Sequence, residues 1–122
     1  GPVTQPPTTE PEPAGGWNVM LTTQPLRTAT GVWLVPLREV LNQIDQPFVY
    51  SSPTRTVTLN TDRGIITHRA GTRIAYDDGT AISLSAPSRI VGGTLYVPQD
   101  FLTVATGRTA AWHPGTRTLT IR

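Results

Sequence analysis

Two histidines, eight carboxylates and no cysteine are the residues from which this 122-residue chain could build a reactive centre. A copper or zinc site needs several N, S or O ligands at compatible geometry. His68 and His113 stand alone, with no His-x-His or His-x-x-x-His spacing, so both read as surface or edge residues and no metal is expected. Hydrolysis of a glycan needs two carboxylates flanking a cleft. Asp77 and Asp78 are adjacent ahead of Gly79, where they suit a tight hairpin turn; Asp45 and Asp100 fall at opposite ends of different helices. No Ser lies in a Gly-x-Ser-x-Gly elbow, and Gly92-Gly93 precedes a strand instead of a helix, which removes a phosphate loop. A Ser/His/Asp arrangement assembled from distant residues stays open. No catalytic residue and no cofactor is therefore assigned.

What remains is binding chemistry. Trp33, Tyr50, Tyr96 and Trp112 beside Arg55 and Arg117 could stack on sugars or bases and hold an anion. The ordinary alternative makes Trp33 and Trp112 anchors of a sheet core. It also makes the two arginines caps of a helix C-terminus or partners of a carboxylate. All ten basic residues are Arg. Glu10 and Glu12 lie in the N-terminal stretch, leaving ten Arg against six carboxylates in the rest, a charge of +4. Such a domain can favour anionic polymers, but no groove-reading motif supports nucleic acid.

The elements that must position these groups follow from periodicity. Gly1-Pro2 resembles the scar of a cleaved tag, and residues 3–16 read as a Pro/Thr-rich linker that cannot bury surface. Residues 17–122 form the folded domain. Val32 to Val35 is a strand ending at Pro36. Leu37, Val40, Leu41 and Ile44 then mark the apolar stripe of a three-turn helix. Arg55 to Leu59 alternates as a half-buried strand with Val57 and Leu59 on one face. Gly64–His68, Thr72–Tyr76 and Thr80–Leu84 are further strands, and Arg89–Val91 turns through Gly92-Gly93 into Thr94–Val97. A second helix begins at Pro98 or Gln99, with Gly107 placed to cap it. Pro36 and Pro98, Gly31 and Gly93, and Arg55 and Arg117 each stand 62 residues apart. The expectation is an α+β fold of antiparallel hairpins with two short helices, an internal duplication of a β-β-α-β unit.

These residues resemble a known family. Val35-Pro36-Leu37-Arg38 opening a helix, then an aromatic, a Pro/Gly turn and Thr54-Arg55-Thr56-Val57-Thr58-Leu59, are similar to the N-terminal stalk domain of copper amine oxidases. Ala75-Tyr76-Asp77-Asp78-Gly79 and the run from Ser85 to Pro98 fit its hairpins. Two positions depart from the pattern: Pro98-Gln99-Asp100 replaces a Pro-Leu-Arg, and Glu39 replaces an aromatic. The resemblance implies a module of secreted or cell-envelope bacterial proteins, periplasmic or extracellular, whose copper and quinone belong to a separate catalytic domain. On this reading the chain is not an enzyme but a spacer, scaffold or adhesion module. Its partners would be neighbouring domains, a protein or cell-wall polymer, or a second copy paired through strand edges. A module binding anionic glycan or peptidoglycan is the alternative, and a cryptic hydrolase stands behind it. No apolar run is long enough to span a membrane.

Overall fold

Pro36 and Pro98 each close a strand and open a helix, and that junction occupies the middle of the molecule. A computed structural model describes residues 16–122; the expected tag scar and nearly all of the expected linker lie outside them. In chain order the strands before the first helix are β1 (Trp17–Met20), β2 (Leu26–Arg27) and β3 (Trp33–Pro36). Helix α1 (Leu37–Gln43) is followed by β4 (Phe48–Ser51), β5 (Thr56–Thr61), β6 (Gly64–Arg69), β7 (Ile74–Asp77) and β8 (Thr80–Ser83). Then come β9 (Arg89–Val91), β10 (Thr94–Pro98), α2 (Gln99–Thr106), β11 (Ala110–His113) and β12 (Thr118–Ile121). The class is α+β, and every strand pairing is antiparallel.

Three sheets form, ordered β1-β12-β11, β2-β3-β10-β9 and β4-β5-β6-β7-β8. In the middle one, β3 and β10 pair so that Val35 faces Val97, with Pro36 opposite Tyr96 and Leu34 opposite Pro98. The 62-residue spacing thus sets each strand against its own counterpart. It also carries the start of α1 onto that of α2, β4 onto β11, and the start of β5 onto that of β12. The halves are nevertheless unequal. At the same spacing β1 falls on β8, yet β1 lies directly beside β12 whereas the β6–β7 hairpin separates β8 from β5.

Both prolines are N-caps with extended backbones, at ψ 115° and 156°, so they sit just outside the helices. Proline has no side-chain acceptor, and neither helix has a side-chain N-cap bond. Helix α1 is two turns, shorter than expected. Ile44 is its C-cap, and Asp45 at φ +56° turns the chain away before Pro47. Helix α2 ends on Gly107 at φ +74°, the left-handed cap that a glycine adopts without a Cβ clash.

Helix α1 buries Leu37, Val40 and Leu41, and α2 buries Phe101, Leu102 and Ala105. They pack with Val57 and Leu59 of β5, Ile66 of β6, Leu119 and Ile121 of β12 and Val19 of β1 in one core. Each fully buried Leu, Ile or Phe is worth roughly 1.5–3 kcal/mol, so this shared core and not helix propensity holds two short helices in place. A satellite cluster of Leu34, Ala86 and Tyr96 lies beneath Leu26 and Val32. The turns have the expected chemistry: Asp78-Gly79 and Gly92-Gly93 each link paired strands by two residues at positive φ. No helix among the described residues is long and apolar enough to cross a membrane.

Candidate functional site

The six residues selected for binding are scattered by the fold. Arg55 and Arg117 do not open strands; each is the last residue of a hairpin turn, at φ +56° and +53°. Their backbone carbonyls accept hydrogen bonds from Ala70 and Leu21, which ties the third strand to each hairpin. Both side chains are exposed, and that of Arg117 donates to the Thr22 carbonyl at 3.2 Å. A left-handed conformation costs a non-glycine residue about 1 kcal/mol. Arg55→Gly is therefore expected to raise stability by about 0.5–1 kcal/mol in urea unfolding. Lower stability would show that the Arg55 side chain holds the fold.

Trp33 and Trp112 are packed together, ring centroids 6.4 Å apart and tilted by 60°. Trp112 is 7% exposed, and its buried indole N–H has no hydrogen-bond partner among the described residues. Its place is therefore set by ring volume. Arg27 stands over Trp33 at 5.4 Å. Tyr96 is buried in the satellite cluster. Tyr50 lines a cleft.

The polar groups with catalytic potential are engaged with the protein's own backbone. His68 corrects the surface reading: it is 1% exposed, because the alternation of β6 turns it inward beside Ile66, against the ring of Phe101. Its Nδ1 lies 2.9 Å from the Ile74 carbonyl and Nε2 2.7 Å from Ser88 Oγ. A carbonyl can only accept, so Nδ1 carries the proton and Nε2 accepts from the Ser88 hydroxyl. Ser88 Oγ in turn accepts the Gly71 N–H at 3.0 Å. Ser88 is also 1% exposed. A serine and a histidine do meet, but both ring nitrogens and the hydroxyl are satisfied internally and sealed from solvent. Burial holds the His68 imidazole below its ordinary pKa, while the Ile74 carbonyl pulls it part of the way back.

The carboxylates act as clamps. Glu39 and Gln43, four residues apart on α1, both reach the segment that leaves β1. The Thr22 N–H and hydroxyl donate to Glu39 Oε2 at 2.6 Å each, and the Thr23 N–H to Oε1 at 3.2 Å. Gln43 exchanges hydrogen bonds with both backbone groups of Met20. Partial burial is the largest single influence on Glu39 and pushes its pKa up. The Thr22 and Thr23 donors together outweigh it and hold the carboxyl below its usual range. Asp100 is the clamp on α2, accepting from the Ser85 N–H and hydroxyl. Gln99 Oε1 accepts the Trp112 N–H at 2.6 Å. Asp78 accepts the Ile65 N–H from within its turn. The arginine that caps a helix is Arg63, which donates to the Val104, Ala105 and Thr106 carbonyls at the end of α2.

These donor sets do not fit a copper or zinc ion. Both nitrogens of His68 are already paired, and His113 stands apart with its Nε2 at Thr120 Oγ1. No group of three or more His, Asp or Glu side chains converges among the described residues.

The remaining feature is a cleft of about 290 Å³ between the start of α1, the β4–β5 hairpin and the β9–β10 hairpin. Leu37, Val57, Ile90 and Leu95 form apolar walls, with the rings of Phe48 and Tyr50; Arg38, Gly93 and Thr94 complete the lining. The Arg38 guanidinium stands 6.0 Å from the Phe48 ring centroid. Sequence reasoning found Tyr50 and missed Arg38. The available signal was Arg38 following the buried Leu37, which puts a cation beside the apolar stripe of α1.

The copper amine oxidase N-terminal domain family model matches residues 15–121. No curated protein matches the sequence.

Proposed function

The chain belongs to the copper amine oxidase N-terminal domain family, a non-catalytic domain, and from that premise we propose that it is a structural module that positions neighbouring domains of a secreted or envelope protein. The observation that supports this most directly is where its reactive groups are used. Glu39, Asp78 and Asp100 bind the protein's own backbone N–H groups, and His68 and Ser88 are sealed in the core. Such a body is rigid and makes or breaks no bond. The Pro/Thr-rich composition of residues 3–16 suits a linker of an exported module.

Binding to an anionic wall polymer has less support, since Arg55, Arg117, Trp33, Tyr96 and Trp112 stand apart from the cleft. Sedimentation with purified cell-wall material at low salt separates the two readings. The purified chain is expected to stay in the supernatant. Salt-sensitive co-sedimentation would replace the positioning role with wall binding.

A further inference from the structure

The cleft has a counterpart in the other half of the molecule, and the counterpart is filled. At the 62-residue spacing Leu95 of β10 corresponds to Trp33 of β3, and Tyr50 of β4 corresponds to Trp112 of β11. Trp33 and Trp112 close on each other at 6.4 Å, and Gln99 at the head of α2 fixes the Trp112 backbone. Leu95 and Tyr50 are smaller side chains at the same places. They line open space of about 290 Å³ where two indoles could have packed.

The chemistry of that space is lopsided. Six apolar or aromatic side chains surround it, and Arg38 is the one charged residue of its lining. Arg38 makes no hydrogen bond or ion pair to another described residue, and its guanidinium stands beside the Phe48 ring. Thr94, on the same lining, has a hydroxyl without a partner among the described residues. A guanidinium fork favours a planar carboxylate. The volume lies at the bottom of the range for small-molecule pockets, about 300–1,000 Å³, enough for one amino-acid residue and short of a glycan chain.

We propose that this cleft captures the C-terminal residue of a peptide chain whose last side chain is apolar. The side chain enters between Leu37, Val57, Ile90 and Leu95, and the terminal carboxylate pairs with Arg38 and accepts from the Thr94 hydroxyl. Capture of a free carboxylate next to a side-chain pocket is a recurrent mode of peptide recognition. The site does not depend on the positioning role, and its failure would leave that role untouched.

The test is a ¹⁵N–¹H titration of the whole chain with N-acetyl-leucine, its neutral amide and inorganic phosphate. N-acetyl-leucine is expected to shift the amides of Arg38, Gly93, Thr94 and Leu95 saturably at millimolar concentration. The amide should bind at least ten-fold more weakly. Arg38→Gln should bring the acid down to the level of the amide, and Leu95→Trp should abolish the shifts while the spectrum stays dispersed. Absence of saturable shifts at these residues overturns the proposal. So does equal binding of acid and amide, and so does inorganic phosphate binding as well as N-acetyl-leucine.

Discussion

Ser88→Ala is expected to lower the unfolding free energy by about 1–3 kcal/mol, a large effect for the loss of one oxygen atom. Removing a partner from a buried hydrogen bond leaves the other group unsatisfied, at about 1–3 kcal/mol. Here the single hydroxyl serves two groups, the Gly71 N–H at 3.0 Å and His68 Nε2 at 2.7 Å. Urea unfolding at neutral pH measures the loss. A change below about 0.5 kcal/mol, the ordinary range of surface substitutions, would mean that water reaches both groups.

The same cluster makes stability depend on pH. The folded-state pKa of His68 is depressed, so its contribution is complete above the unfolded value near 6.5. Below that, the unfolded chain binds the proton more readily than the folded one, and stability falls as the pH drops from 6.5 towards the folded pKa. His68→Gln keeps a donor and an acceptor but does not titrate, and it should flatten the profile in this window. Glu39 acts at lower pH. Its folded pKa lies below the ordinary 4.5, so its contribution is present above 4.5 and is lost as the pH falls through the folded value. A profile unchanged by His68→Gln would remove the imidazole from the account.

Gly16→Ala is the second large effect, expected at about 2–4 kcal/mol. Gly16 has φ +81°, and a Cβ there would collide with the Ile121 carbonyl oxygen and lie 2.9 Å from Arg122 Cα. Both obstacles are backbone, so no side-chain rotation relieves them. The backbone at residue 16 must move away from β12, which loosens the ladder from its Trp17–Ile121 end. Hydrogen exchange should show the amides of β1 and β12 losing protection first. Wild-type protection in those strands would refute the close approach.

Gly16 also shows the limit of the sequence. Its neighbours are Pro-rich, so composition assigned it to the linker; its positive φ and the backbone of a strand more than a hundred residues away require it to be glycine. What periodicity encodes was legible: the alternation of Val57 and Leu59, the α1 stripe, the two-residue turns at Asp78-Gly79 and Gly92-Gly93, and the spacing that relates the junctions at Pro36 and Pro98. His68 was misread because a lone histidine carries no sign of which strand face it occupies. Ile66 on the same face of β6 was the clue. Arg55 was drawn into a strand because propensity says nothing about a left-handed arginine. The clamps of Glu39 and Asp100 were invisible for another reason. Their partners, Thr22, Thr23 and Ser85, come from loops whose path tertiary packing sets. The cleft follows from the same limit, because it is a difference in volume between residues at matched places and not a motif.

The pairing of Trp17 with Ile121 has a mechanical consequence. Any segments joined at these two neighbouring strand ends would leave side by side, and the body would add little to their separation. Tension along those segments would not shear β1 across β12. It would peel the two strands apart one hydrogen bond at a time, since the bonds of an antiparallel pair lie perpendicular to the strands. Helix α1 bears on this directly: Glu39 and Gln43 grip Met20, Thr22 and Thr23 where the peeling would end, and so act as a stop to the tear.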